Sequence, residues 1–171
     1  MKKILILLLL FLSISCSSNL LTKKSTESID CPPVLFASEH RNYLDSEEKS
    51  LTLDNVSFKA EINNYAFNKS CFEENDIRTF PLDILFIIDP ITPTSPNVIL
   101  PLYVALLDSD NQLFEIQYFS IDGEIRNDLK TKTYLQTELS KSIDIITSKN
   151  NPVSSLVVGF MLDKKKEKLL N

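Results

Sequence analysis

Few residues in this chain have the chemistry to do more than build a fold, and cysteine comes first among them. Cys16 is preceded by Lys2-Lys3, an apolar run from Ile4 to Leu12, and Ser13-Ile14-Ser15. A positive start, a short apolar stretch and a small residue ahead of a cysteine form the export signal of a bacterial lipoprotein precursor. Ser15 suits a signal peptidase that needs a small residue there, although Ser13 stands where leucine is usual. The apolar run is too short to span a bilayer, which takes ~20 residues. Residues 1–15 are therefore expected to be removed as a signal peptide, leaving Cys16 lipidated, with palmitate among its acyl groups. Ser17 and Ser18 follow, with no Asp to favour retention in an inner membrane. The expected location is the outer membrane, lipid-anchored and facing the periplasm, with the inner membrane as the lesser alternative.

Cys31 and Cys71 remain once Cys16 carries lipid. In an exported domain two remaining thiols read as one disulfide. Closing a loop of 40 residues would stabilise the fold by about 4 kcal/mol on chain entropy. A metal held by these two alone would lack further ligands, because His40 is the single histidine. Any Ser-His-Asp arrangement would have to use His40, and Ser38-Glu39-His40-Arg41 reads instead as a solvated loop. Glu73, Glu74 and Asp76 could attract a cation, but exposed turn carboxylates explain them as well. Asp108-Ser109-Asp110-Asn111 resembles the start of a calcium loop, yet it lacks the following glycine and the distal glutamate. A tight hairpin turn, which Asp and Asn suit, is the better reading. No catalytic residue and no cofactor are expected.

Removing the signal takes away two of 18 basic residues, so 16 face 23 acidic ones and the mature charge is −7. That balance argues against nucleic acid as a partner. Two glycines leave no room for a glycine-rich phosphate loop. The one basic run, Lys164-Lys165-Lys166-Glu167-Lys168 ahead of Leu169-Leu170, reads as a helical turn capping the last strand. The alternative is a short amphipathic end touching anionic headgroups.

The elements that must position these residues are strands. Polar residues 17–30 read as a flexible tether on the order of 20 Å end to end, with the folded domain spanning 31–171. Val56, Phe58, Ala60 and Ile62 alternate with polar residues, and the apolar parity flips after Asn63-Asn64, which predicts a bulge. Phe80 to Ile88 and Ile99 to Leu107 read as buried strands, separated by the proline-rich loop Asp89 to Pro96. Phe114, Ile116 and Tyr118 alternate in the next strand, Asp122-Gly123 marks a turn, and Leu156 to Leu162 forms a last strand. Tyr134 to Thr147 fits either a helix or a strand, with strand favoured in its second half. Short strands with turns between them and no long amphipathic helix predict an all-β sandwich. If the segment after Cys31 were the first strand, antiparallel to Val56–Phe67, the two cysteines would share one end of it.

Several segments resemble a family of small alphaproteobacterial lipoproteins. They are Cys31-Pro32-Pro33-Val34, Val56-Ser57-Phe58-Lys59-Ala60-Glu61-Ile62 ahead of Cys71, Tyr103-Val104-Ala105-Leu106-Leu107-Asp108, and Val158-Gly159-Phe160-Met161-Leu162. The likeness runs in patches from Cys31 to Asn171. Met161 departs from the polar residue, usually Gln, found there in the family. The resemblance implies an immunoglobulin or fibronectin type III-like sandwich and a lipid anchor, and it carries over no activity or catalytic residue. The expected function is that of a non-enzymatic envelope module, structural or bound to another envelope protein, with the Pro90–Pro96 loop and the Asp108–Asn111 turn as contact edges. The alternative is a periplasmic enzyme or a small-ligand or cation-binding protein using loop carboxylates.

Overall fold

The computed structural model describes residues 26–46, 51–93 and 95–170. The signal peptide, Cys16 and the tether up to Ser25 lie outside the described residues. Twelve strands and one short helix are present among those described. They form two sheets packed face to face, so the fold is the expected all-β sandwich with a helical turn at its C-terminal end.

The first sheet is built on β6 (Ile77–Pro90), the longest strand. Along one edge of β6 lies β11 (Thr137–Ser148), antiparallel over its whole length. Along the other edge lie β4 (Phe58–Phe67) and then, towards the start of β6, β5 (Cys71–Glu74). The outermost strands are β3 (Asn42–Asp45), beside β4, and β1 (Glu27–Ile29), beside β5. The second sheet runs in the order β2 (Val34–Phe36), β12 (Ser155–Phe160), β7 (Asn97–Leu107), β8 (Leu113–Glu124). A separate hairpin pairs β9 (Asn127–Asp128) with β10 (Thr133–Tyr134). The helix α1 (Lys164–Leu170) follows β12.

This order has an immunoglobulin-type logic. β4, β6 and β11 lie side by side as strands A, B and E do, while β7 and β12 pair as C and F. The place beside F, where the last strand would pair antiparallel, is filled by β2 in parallel. An N-terminal segment thus completes the second sheet.

Alternation explains why these residues make these strands. Phe80, Leu82, Ile84, Phe86 and Ile88 of β6 point inward and are almost fully buried, and Leu100, Leu102, Val104 and Leu106 of β7 face them from the other sheet. Pro81 is tolerated in a central strand because it falls between Thr79, the last partner of β5, and Leu82, the first partner of β4. A missing amide donor leaves no gap in the ladder at that junction. The bulge expected near Asn63-Asn64 is present, as a register shift between Ile62 and Asn64.

Three expectations change, and one open reading resolves to the favoured strand. The segment read as tether contains a strand, because Glu27, Ser28 and Ile29 pair with Glu73, Phe72 and Cys71. The strand after Cys31 joins the second sheet beside β12, and the partner of β4 is β3. Gly123 makes no turn; β8 continues through it opposite Val98. A Cβ on Gly123 would come within 2.5 Å of the Leu139 side chain, so close packing explains that glycine. Tyr134 to Thr147 holds no helix, because twelve consecutive residues from Thr137 pair with β6.

Candidate functional site

The cysteines meet as expected, by a different route. Cys31 and Cys71 are bonded, with Cα atoms 5.2 Å apart. The segment before Cys31 brings them together, since Ile29 pairs with Cys71. The bond sits where the chain leaves β1 in one sheet to enter β2 in the other. It therefore staples the transfer between sheets rather than the ends of one hairpin.

Beside it, the expected cluster of exposed turn carboxylates resolves into something else. Glu73 is buried and engaged by two cations, Arg78 at 3.0 Å and Lys149. Hydrogen bonds from Lys149 and then from Arg78 hold the Glu73 carboxyl below its ordinary value. The same contact raises Lys149. Asp76 lies in the tight turn between β5 and β6, where Asn75 and Asp76 have φ of 50° and 63°. That geometry is the usual hairpin solution. Among the described residues no group of three or more His, Cys, Asp or Glu side chains is placed to hold a metal ion.

His40 is not a solvated loop residue. It ends a single 3₁₀ turn, Ser38–His40, and its ring lies edge-on to Tyr103 with centroids 5.6 Å apart. Its Nδ1 is buried without a hydrogen-bond partner among the described residues. Tyr103 in turn crosses Gly159, where a Cβ would come within 2.6 Å of the phenol oxygen. These residues pack an aromatic corner, and among the described residues no serine or carboxylate is hydrogen-bonded to the imidazole in the triad sense.

The basic run forms α1, as read from sequence, and Lys166 explains its docking. Lys166 Nζ donates to Tyr43 Oη at 2.6 Å and to Asp45 at 3.3 Å. Burial, with the Asp45 charge second, pushes the Tyr43 hydroxyl well above its usual range, so it stays protonated. A phenol held neutral in this way serves as a hydrogen-bonding pin. Strand register places α1 at the end of the sandwich where β12 finishes, opposite the end where Cys31 enters. The described chain enters the domain at β1, at the end remote from these lysines.

The two expected contact edges also lie far apart. The loop from Ile91 to Pro96 precedes β7 and the turn Asp108–Asn111 follows it. The ten steps between the ends of this eleven-residue strand, at ~3.3 Å a step, set them roughly 33 Å apart. The turn is tight: Asp108 Oδ1 accepts from the amides of Asp110 and Gln112, and Asn111 has φ of 58°. No single compact site can use both edges. What joins them is the outward surface of β7 and β8.

That surface was not read from the sequence. Ile116 and Tyr118 alternate as a strand should, but they point to solvent, 38% and 64% exposed. The inward positions of β8 carry Glu115 and Gln117 instead. Glu115 accepts from Thr147 Oγ1 at 2.7 Å, and Gln117 donates to the Ile146 carbonyl of β11 at 2.7 Å. β8 and β11, one edge strand of each sheet, are joined by side-chain bridges, a way of blunting open edges. The signal in the sequence was the parity switch to Phe119 and Ile121, which do face the core. Compared with family models, with curated proteins and with solved structures, the chain matches none of them.

Proposed function

We propose that this chain is a membrane-anchored periplasmic lipoprotein, held by lipid on Cys16, whose sandwich domain binds another envelope protein. The observation that carries the reading is the pairing of an export signal ending at Cys16 with a Cys31–Cys71 bond. Such bonds persist in oxidising compartments and are rare where thiols are kept reduced. Either feature alone would be weaker; together they name one compartment. Anchoring by a lipid and a tether raises the effective concentration of the domain for neighbours at the same membrane. Rigid sandwiches commonly recognise partners through loops and exposed sheet surfaces. Cys31, Cys71, Glu73 and Lys166 are all engaged in bonding or pairing, which favours binding over turnover.

The anchor is tested by expression in a bacterial host with labelled palmitate. The wild-type chain should take up label and Cys16→Ser should not; equal labelling of both would defeat the assignment. Binding is tested by crosslinking in intact cells, and robust turnover by the purified domain, lost on changing His40 or a carboxylate, would favour an enzyme instead.

A further inference from the structure

We infer that the solvent face of the second sheet is a docking surface for a cationic protein, one that presents an apolar centre flanked by lysine or arginine. The inference rests on the protein-binding reading above and gives it a surface and a partner chemistry.

Strand register builds the surface. Leu35, Val157, Ala105 and Ile116 stand in one row across β2, β12, β7 and β8. Gly159, Tyr103 and Tyr118 form the next row. All these positions point away from the core, because their neighbours in each strand point into it. Leu35 is 54% exposed, Ile116 38% and Tyr118 64%, while Val157 and Tyr103 are half-buried and Ala105 and Gly159 are covered. A solvated sheet face normally carries polar residues, and contiguous apolar exposure marks an interaction surface. Folding does not require these side chains, since the inner face of the same strands already supplies the core.

Charge selects the occupant. From Thr79 to Ile125 the sequence contains no lysine or arginine. The β7–β8 hairpin instead carries Asp108 and Asp110 at one end and Asp122 and Glu124 at the other. Lys141 of β11 borders the latter end, one ammonium against two carboxylates. The first cation beyond the hairpin, Arg126, donates to the Gln136 carbonyl. The surface is thus an apolar strip with an acidic rim at each end. A second copy laid with its β7–β8 hairpin on this one would set acid against acid. An anionic bilayer would be repelled at both ends. A partner with cations spaced about 33 Å apart around an apolar strip meets both requirements, and rim charges of opposite sign are what steer such pairs together.

The experiment uses the full chain, expressed in cells of its source bacterium with a photoreactive phenylalanine placed singly at Tyr118, at Ser140 on the outer face of the first sheet, at Ile91, or at Asn111. Capture from Tyr118 but not from Ser140, with lysine or arginine in the crosslinked partner peptide, is the expected result. Asp122→Lys together with Glu124→Lys should lower that capture about ten-fold, the equivalent of ~1.4 kcal/mol. Circular dichroism melting of the charge-reversed chain should match the wild type, so that misfolding cannot imitate the loss. Adducts at Tyr118 with a second copy, with lipid or with an acidic peptide would overturn the inference, as would capture indifferent to charge reversal. Capture only from Ile91, Asn111 or Ser140 would overturn this surface while leaving the binding reading intact. No capture from any position would overturn both.

Discussion

The two outer faces of this sandwich are made from the same pleat and carry opposite chemistry. On the first sheet most outward positions are polar and several are tied to one another, with Ile77 and Ile146 exposed at one end: Asp83 accepts from Asn68 at 2.7 Å and from Ser142 at 2.5 Å, and Glu61 pairs with Arg41 at 3.3 Å. Those two hydrogen bonds hold the Asp83 carboxyl below its ordinary value, Ser142 contributing more. Leu85 and Ile87 lie half-buried among these groups. On the second sheet the outward positions are Leu35, Ile99, Ile116 and Tyr118, all exposed. Both inner faces are equally dry, so stability does not demand the contrast. One face is finished for water, and the other is left apolar between acidic ends. Selection for folding alone would have treated both as it treated the first.

The largest test of this picture concerns the staple the two sheets share. Replacing Cys31 and Cys71 by serine removes the constraint where the chain passes from β1 to β2. Urea unfolding should show a loss of about 4 kcal/mol, and a loss under 1 kcal/mol would mean that β1 and β2 are held by their ladders alone. Because β2 also supplies one outermost strand of the apolar face, hydrogen exchange in Val34–Phe36 should rise in the same variant.

A smaller effect is expected from pH. Glu73 sits below its ordinary value of 4.5 in the folded state, so its contribution is present above that value and is lost as pH falls through the folded one. Lys149 is raised above 10.5, so its contribution is present below that value and is lost as pH rises through the folded one. Melting temperature should therefore be level between these limits and fall outside them. Glu73→Gln should soften the acid limb, and an unchanged acid limb would show that other carboxylates control it.

The smallest effect compares the faces directly. Ser142→Ala removes a hydrogen bond to Asp83 and should cost about 0.5–1 kcal/mol. Tyr118→Thr removes no such bond and should stay within about 0.5 kcal/mol of wild type. Equal losses above 1 kcal/mol for both would mean that Tyr118 supports the fold, and the contrast between faces would lose its meaning.

Much of the fold was legible because its signals are local. The bulge after Ile62, the proline loop before β7, the Asp108–Asn111 turn and the buried β6 and β7 all follow from alternation and turn chemistry within a few residues. The disulfide followed from counting. What misled was context. Asp122-Gly123 has the residues of a turn, but Gly123 is small because Leu139 lies against it. His40 sits in a polar stretch, yet Tyr103, more than sixty positions away, stacks on it. The polar segment around Glu27 carries no strand signal of its own and becomes a strand only because β5 offers an unpaired edge.

By itself the sequence determined the long strands, the sandwich and the cysteine pairing, since each depends on residue type, alternation or count. Tertiary structure alone decided which sheet β2 joins and which side of β8 becomes core. A period-two pattern marks a strand but does not say which face is inside, and a shift of one residue exchanges the two. In β8 the choice was made by neighbours: β7 set the register, and Thr147 and Ile146 of β11 received Glu115 and Gln117 on the inner side. Ile116 and Tyr118 were left facing out.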